Sequence, residues 1–187
     1  MQWLNEPKEW SQTGSSISFQ TQADTDFWRK THHDFIKDDG HFYHTSISGD
    51  FTAEVKVSGD YNALYDQAGL ILRLNETQWM KTGIEYVKGV QHASVVITRE
   101  FSDWSILALN PAPPALWLKV KRAGNAVQVF YATSEPTADG DYTLMRQGYF
   151  PTDETVQVGV MACSPKGEGF QARFEDFKVT PVSEGGV

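Results

Sequence analysis

Apolar and polar residues alternate with a period of two along most of the chain. In FTAEVKVSG (residues 51–59) every second residue is apolar, and the residues between are polar or charged. This pattern predicts a strand with one buried and one solvated face. The same theme recurs in QAGLILRLN, WMKTGIEYV, HASVVITR, LWLKVKRAG, AVQVFYATS, VQVGVMACS and FQARFEDFKV.

Turn residues separate these segments, and no helix pattern interrupts them. LWLKVKRAGNAVQVFY predicts a hairpin, because Gly124 and Asn125 between its two alternating runs tolerate positive φ. KTHHDFIKDD could form a short helical turn at most. About a dozen short strands at regular spacing predict an all-β fold, either a sandwich or a barrel. We expect a two-sheet antiparallel β-sandwich, because half-polar strands and nearly all-apolar strands both occur.

The length and composition are those of one globular domain. The chain has 187 residues, 40% of them hydrophobic, and six tryptophans, which is many for this length. Most of these rings are expected in the core, since large rings dominate burial in β proteins, but some are left for a surface. We expect a single β-sandwich domain over residues 1–182 and a flexible C-terminal tail, SEGGV, at residues 183–187.

Charge and cysteine content exclude several classes of function. The formal net charge of −8 and the lack of a Lys/Arg cluster argue against a nucleic-acid partner. No window is apolar for long enough to cross a bilayer, and MQWLNEPKEW does not resemble a signal peptide. Cys163 is the only cysteine, so no intramolecular disulfide can form, and it is expected to be a small buried hydrophobe. These features predict a cytoplasmic protein without a membrane partner.

Several segments, in order, carry a resemblance to a known family. They are TDFWR, GHFY, DQAGLILRLNETQWMKTGIEYVKG, SVVITREFSDWS, LWLKVKRAGNAVQVFY, VQVGVMACSP and FEDFKV. Together they resemble a domain-of-unknown-function family sometimes labelled regulation-of-enolase-like, in the concanavalin A-like lectin and glucanase group. The resemblance implies a jelly-roll sandwich whose curved sheet presents a concave face, which relatives use for sugars. A shared fold is an analogy for function and does not establish it.

The paired carboxylates of a glycosidase are not visible in the sequence. Such enzymes place two carboxylates on either side of one scissile bond. The strand WMKTGIEYV contains a single carboxylate, Glu85, and the adjacent Glu175 and Asp176 of FEDF should point to opposite faces of a strand. The sequence therefore argues against glycosidase chemistry.

WMKTGIEYV nevertheless offers a candidate binding face. Trp79, Lys81 and Glu85 share one side of this strand, which combines an aromatic ring, a cation and an acceptor. Gly83 lies between the two charged residues, where a strand glycine can mark close approach of a backbone or ligand. The alternative is a solvated strand face with a cross-strand salt bridge.

The segment TREFSDWS (98–105) has two open interpretations. In the first, Arg99 to Asp103 form a turn at the sheet rim, Arg99 and Asp103 bond sugar hydroxyls, and Trp104 stacks on a pyranose ring. In the second, the segment is a structural turn in which Asp103 caps backbone amides and pairs with Arg99, while Trp104 packs inward. In the family resemblance, TDFWR lines the same concavity, which would add Trp28. The alternative for Trp28 is an anchor in the core.

Metal and nucleophile signatures are weak. His32, His33, His41 and His44 lie close in sequence, but their spacing fits no familiar zinc motif. Asp139 with Asp141, and Asp38 with Asp39, are better read as turns. No nucleophile elbow or phosphate-cradling loop occurs. We expect no metal and no cofactor.

The resulting hypothesis is a non-catalytic domain that binds a carbohydrate or a small, sugar-like polar metabolite on the concave sheet face. The predicted ligand-binding residues are Trp28, Trp79, Lys81, Glu85, Arg99, Asp103 and Trp104. Two alternatives stay open. One is a carbohydrate-active enzyme that uses Glu85 as a lone base, and the other is a protein-interaction module that regulates a metabolic enzyme.

Overall fold

The computed structural model describes residues 1–152 and 155–182, and the predicted tail at 183–187 lies outside them. In chain order the strands are β1 (Gln2–Leu4), β2 (Trp10–Thr13), β3 (Ser16–Gln20), β4 (Phe27–Arg29), β5 (Ile36–Asp38), β6 (His41–Ile47), β7 (Phe51–Gly59), β8 (Gln67–Asn75), β9 (Gln78–Val87), β10 (Val90–Arg99), β11 (Phe101–Ala108), β12 (Leu116–Ala123), β13 (Ala126–Ala132), β14 (Thr143–Tyr149), β15 (Val156–Cys163) and β16 (Gln171–Pro181). A single 3₁₀ turn, Asp139–Asp141, is the only helical element within the described residues.

The strands form the two stacked antiparallel sheets that the alternation predicts. The front sheet has the order β1-β6-β15-β8-β9-β10-β11, and the back sheet has the order β14-β13-β12-β7-β16-β3-β2. The hairpin at Gly124 and Asn125 joins β12 to β13 as expected. The all-β sandwich is thereby confirmed. No helix among the described residues is long and apolar enough to cross a membrane.

The main core lies between the two sheets and is built by alternate residues. Phe51, Ala53, Val55 and Val57 of β7 are buried there, and the residues between them are only partly covered. β8 differs, because six consecutive residues from Gln67 to Leu72 are buried. This strand is covered on both faces, which explains why its sequence reads as a nearly continuous apolar run.

A second, smaller apolar cluster covers part of the outer face of the front sheet. It contains Phe27, Phe42, Ile71, Trp79, Val96, Met161 and Cys163. Cys163 is buried here, as predicted. The prediction that Trp79 offers an exposed platform is wrong, because its ring is 1% exposed. The hairpin of β4 and β5 (the β4–β5 hairpin) brings the Phe27 ring against it, with centroids 6.1 Å apart.

The glycine between Lys81 and Glu85 is explained by the backbone of the sheet. Gly83 of β9 pairs with Gly69 of β8. A Cβ added to Gly83 would collide with the backbone carbonyl oxygen of Ala68. Close approach of neighbouring strands, and not approach of a ligand, therefore requires a glycine here.

The connection between β10 and β11 is tighter than the sequence suggested. Arg99 pairs with Phe101, and Glu100 alone forms the turn with a φ of 63°. The expected turn over residues 99–103 is therefore wrong. Trp104 lies within β11 opposite Val96, which in turn pairs with Lys81 of β9. Since paired residues share a face, Trp104 and Lys81 belong to the same outer face.

Candidate functional site

A cavity of about 810 Å³ opens on the outer face of the front sheet, beside the Trp79 cluster. Its lining comes from residues 24–37, which include the β4–β5 hairpin, and from β8 to β11. Residues 165–166 complete the mouth. The volume lies within the range of roughly 300–1,000 Å³ that is usual for small-molecule sites. We call this space the hairpin cavity.

Lys81 forms one half of the cavity floor. Its side chain is 5% exposed, and Nζ donates to Asp26 Oδ1 at 3.1 Å and to the Phe27 carbonyl oxygen at 2.6 Å. The same Asp26 oxygen accepts from the Phe27 amide at 2.8 Å and from Gln67 Nε2 at 3.3 Å. This buried ion pair therefore joins β9 to the start of the β4–β5 hairpin.

Glu85 forms the other half of the floor. Its Oε2 accepts from Ser94 Oγ at 2.6 Å and from Trp104 Nε1 at 2.9 Å. Burial raises the pKa of Glu85, which is 7% exposed, although the nearby Lys81 ammonium and these two donors act in the opposite direction. Glu85 Oε1 accepts no hydrogen bond from any described residue, and Glu85 lines the cavity.

Aromatic rings form the walls. Tyr65 and Trp104 meet edge to face on one side, with centroids 6.2 Å apart. Across the mouth, the β4–β5 hairpin contributes Trp28, His33 and Phe35, and the His33 and Phe35 rings stack at 5.7 Å. The Trp28 indole donates to the Thr31 carbonyl oxygen at 3.0 Å, which holds that ring in place.

Five of the seven predicted ligand-binding residues border the hairpin cavity: Trp28, Lys81, Glu85, Asp103 and Trp104. Asp103 has its carboxylate committed elsewhere, since Oδ2 pairs with Arg146 of β14 at 3.0 Å. Its side chain points toward the back sheet because it is one position out of step with Ser102 and Trp104 on β11.

Trp79 and Arg99 do not line the cavity. Trp79 shares the correct face but is covered by Phe27. Arg99 lies over the Tyr149 ring, 5.4 Å from its centroid, and contacts the edge of the back sheet. Alternation along β10 causes this, since Arg99 points the same way as Ile97 of the main core. The expected pairing of Arg99 with Asp103 is also wrong.

Asp26, Tyr65, Gln67 and His33 were missed as site residues. Gln67 could have been found from strand register, since it lies directly opposite Glu85 in the pairing of β8 with β9. Asp26 lies within the TDFWR segment but precedes β4, so no alternation rule gives its direction. Tyr65 and His33 are in loops, for which the pattern predicts no orientation.

The histidines and paired aspartates do not gather into a metal site. Among residues 1–152 and 155–182, no three His, Cys, Asp or Glu side chains come together as metal ligands. The His41 ring bonds the Asn5 carbonyl oxygen and the Gln22 amide, and His44 stacks on Phe42. Burial lowers the pKa of both His41 and His44.

The aspartates considered for a cation are engaged by protein groups. Asp139 pairs with Lys119 and Lys121, and these two hydrogen-bonded cations lower its pKa. Asp141 accepts from the backbone amides of Thr137 and Ala138, which lower its pKa. Residues Asp139–Asp141 form a 3₁₀ turn, as the sequence indicated, whereas Asp38 ends strand β5 and pairs with Arg73 at 2.7 Å.

The fold and the cavity define a jelly-roll β-sandwich with a covered polar site on one outer sheet face. Residues 3–182 match the family described as protein of unknown function (DUF1349), and the chain belongs to this family. It is 35% identical over 178 residues to Regulation of enolase protein 1 of Saccharomyces cerevisiae, covering 95% of this chain and 88% of that protein. The family resemblance seen in the sequence is thereby confirmed.

Solved structures agree on the architecture. A functionally unknown protein from Saccharomyces cerevisiae superposes with a TM-score of 0.90 at 34% identity, over 97% of both chains. The structure of Bacteroides ovatus Xyloglucan PUL GH43B gives a TM-score of 0.68 at 16% identity, over 92% of this chain and 34% of that one. At that identity the likeness shows the fold alone.

Proposed function

We propose that this protein is a non-catalytic binding domain that takes a carbohydrate or sugar-like metabolite in the hairpin cavity. The observation that carries the proposal is Glu85, a buried carboxylate with one free oxygen on the floor between aromatic walls. Buried charges are otherwise expected to be fully hydrogen-bonded or paired. A ligand that donates to Oε1 would complete this set.

The walls and floor match the two kinds of surface that a sugar ring presents. The ring hydroxyls need fixed partners, and Glu85 and Gln67 offer acceptor oxygens on neighbouring strands, while the Gln67 amide nitrogen is held by Asp26 and the Tyr65 carbonyl oxygen. The apolar face of the ring packs on an aromatic side chain, and Trp104 is 38% exposed for such contact. Its indole N–H bond to Glu85 fixes the ring beside the floor, so the site is organised before a ligand enters.

The hydrogen bonds of Asp26, the second carboxylate on the floor, favour binding without turnover. Three donors converge on Asp26 Oδ1, from Phe27, Gln67 and Lys81. A carboxylate held in this way is poorly suited to attack a sugar or to activate water. Glycosidases need two carboxylates that act on one bond, and the ion pair with Lys81 argues against Asp26 as the second one.

The raised pKa of Glu85 favours a second candidate, a carbohydrate-active enzyme. A buried acid in a cavity with a raised pKa is a typical general acid or base. This candidate differs from the first in one measurable respect, since it requires chemical conversion of the ligand.

A glycan array followed by calorimetry tests the proposal, with two tryptophan variants compared. Trp104→Ala removes the cavity ring, and Trp10→Ala removes a similarly exposed ring (39%) on β2 of the back sheet. We expect Trp104→Ala to weaken sugar binding by about 1–3 kcal/mol, roughly 5- to 150-fold, by analogy with bases stacked on aromatic rings. Trp10→Ala should leave binding unchanged.

Two results would replace the proposal. If both variants bind as tightly as the wild type, the sugar does not occupy the hairpin cavity. If the wild type converts the bound sugar and Glu85→Gln abolishes that conversion, the protein is an enzyme. Glu85→Gln retains an acceptor for Ser94 and Trp104, so loss of turnover would not be caused by loss of these bonds.

A further inference from the structure

The charges on the floor of the hairpin cavity do not balance. Asp26 and Lys81 form an ion pair at 3.1 Å, and the Lys81 ammonium also donates a hydrogen bond to the Phe27 carbonyl oxygen. Glu85 makes no ion pair with any described residue. When Glu85 is ionised, its carboxylate therefore lies on the floor without a bonded cation among the described residues, although the side chain is almost fully buried.

The other cations that border the cavity do not neutralise the charge of Glu85. Lys37 pairs with Asp24 at 3.0 Å and with Asp39 at 3.4 Å. Lys166 and the neighbouring histidines His32 and His33 are exposed at the mouth, where solvent screens their charge. A buried carboxylate without a paired cation is costly, so a cation from the ligand would be stabilised on the floor.

The walls favour a cation as well. The faces of aromatic rings carry partial negative charge and attract ammonium groups within about 6 Å. Tyr65, Trp104, Trp28 and Phe35 all border the cavity. The neighbouring Lys81 ammonium already makes such a contact, 5.6 Å from the centroid of the Trp79 ring.

We propose that the ligand of the hairpin cavity carries an ammonium group that pairs with Glu85 Oε1, and that the site therefore prefers amino sugars over neutral sugars. This inference rests on the proposed function and names the class of its ligand. The ammonium donates to Oε1 and balances the charge of the floor, while the sugar ring packs between the aromatic walls. An acidic or phosphorylated sugar would place a second anion beside Glu85 and is disfavoured.

Three disaccharides of the same linkage isolate the contribution of the amine. Cellobiose carries a hydroxyl at the second carbon of each ring, N,N'-diacetylchitobiose carries a neutral amide, and the deacetylated chitosan dimer carries an ammonium. Calorimetry at about pH 7 should show the chitosan dimer binding at least about ten-fold tighter than either neutral sugar, a difference of roughly 1.4 kcal/mol. Glu85→Gln should reduce that preference to about two-fold or less.

Asp24→Asn is the matched control. Asp24 also lines the cavity and the substitution changes the net charge by the same amount, but its carboxylate is exposed and paired with Lys37. The preference for the amine should survive in this variant. An equal loss in Asp24→Asn and Glu85→Gln would show that overall charge, and not the floor carboxylate, attracts the amine, and would overturn the inference.

The outcomes separate this inference from the proposed function. Binding of cellobiose as tightly as the chitosan dimer overturns the ammonium pairing and leaves sugar binding intact. Failure of all three disaccharides also overturns the inference, whereas sugar binding itself falls only if the wider glycan array is blank. A preference for the amine that Glu85→Gln does not change would place the ammonium elsewhere and likewise overturn the pairing with Glu85.

Discussion

The outer face of the front sheet has two halves that are built from the same strands but have opposite character. In one half, the ring of Phe27 seals Trp79 into an apolar cluster that excludes water. In the other half, Lys81 and Glu85 lie below an open cavity. Trp79 and Lys81 are two residues apart on the same face of β9, so an apolar core and a polar site can share one sheet face.

Phe27 forms the boundary between the two halves. Its ring belongs to the apolar cluster, whereas its carbonyl oxygen accepts from Lys81 Nζ and its amide donates to Asp26. The backbone of this residue thus serves the polar half, while its side chain serves the apolar half. The comparison shows that an outer-face position of the front sheet is buried in an apolar core where the β4–β5 hairpin covers it, and that the sheet alone does not determine this.

The largest effect is expected from emptying the apolar half. Trp79→Ala should lower the free energy of unfolding by about 3–5 kcal/mol, as for other buried large-to-small substitutions. Urea unfolding measures this loss. Trp104→Ala, on the partly exposed ring of the cavity half, should cost distinctly less. If the two substitutions cost the same, the division of the face into core and site is wrong.

The next effect comes from breaking the ion pair on the floor. Lys81→Met leaves Asp26 and Glu85 without their nearest cation and should cost about 3 kcal/mol, because an uncompensated buried charge remains. Adding Asp26→Asn should recover part of this loss in a double-mutant cycle. Purely additive losses would show that the pair does not couple β9 to the β4–β5 hairpin.

Glu85→Gln should have a smaller effect of the opposite sign. Burial raises the pKa of Glu85 in the folded protein above its usual value of 4.5. The wild type therefore loses stability as the pH rises through the folded-state pKa, where this carboxyl must ionise, and regains it on acidification. Near neutral pH the variant should melt higher, by at most about 3 °C.

This gain should shrink as the pH is lowered toward the usual pKa of glutamic acid, because Glu85 is then protonated in the wild type. Thermal melts across a pH series provide the measurement. A variant that melts lower than the wild type at neutral pH would mean that the Glu85 charge stabilises the fold, and the cavity half would then resemble an ordinary salt-bridged surface.

The smallest effect is expected at Arg99, which faces away from both halves. Arg99→Ala removes a contact with Tyr149 and should change stability by no more than about 0.5–1 kcal/mol. Sugar binding, measured by calorimetry, should not change. A clear loss of binding would place Arg99 in the site despite its direction.

The fold could be predicted from the sequence because alternation acts locally. The same rule correctly placed Lys81 and Glu85 on one face of β9, since the pleat fixes side-chain direction within a strand. It failed for Trp79, because the covering β4–β5 hairpin is contributed by residues distant in sequence. β4 and β5 have only three residues each, too few for an alternation pattern to predict where they pack.

The errors at the β10–β11 turn have a different cause. Asp103 and Arg99 were assigned to a loop, in which side chains can converge, but a one-residue turn at Glu100 keeps both in strands. Side chains alternate between the two faces of a strand, and the positions of Arg99 and Asp103 direct their side chains toward the back sheet. The position of the turn residue could have been found only by recognising that Glu100 adopts positive φ.

The loop at the tip of the β4–β5 hairpin forms backbone hydrogen bonds within itself. Lys30, His32 and Asp34 adopt positive φ, the Lys30 amide donates to the Phe35 carbonyl oxygen, and the Asp34 amide donates back to Lys30. Thr31, His32, His33 and Phe35 of this loop line the cavity and are exposed, and none of them belongs to either apolar core cluster. Evolution can therefore vary this tip to change what a descendant recognises, and an engineer can graft new tips onto an unchanged frame.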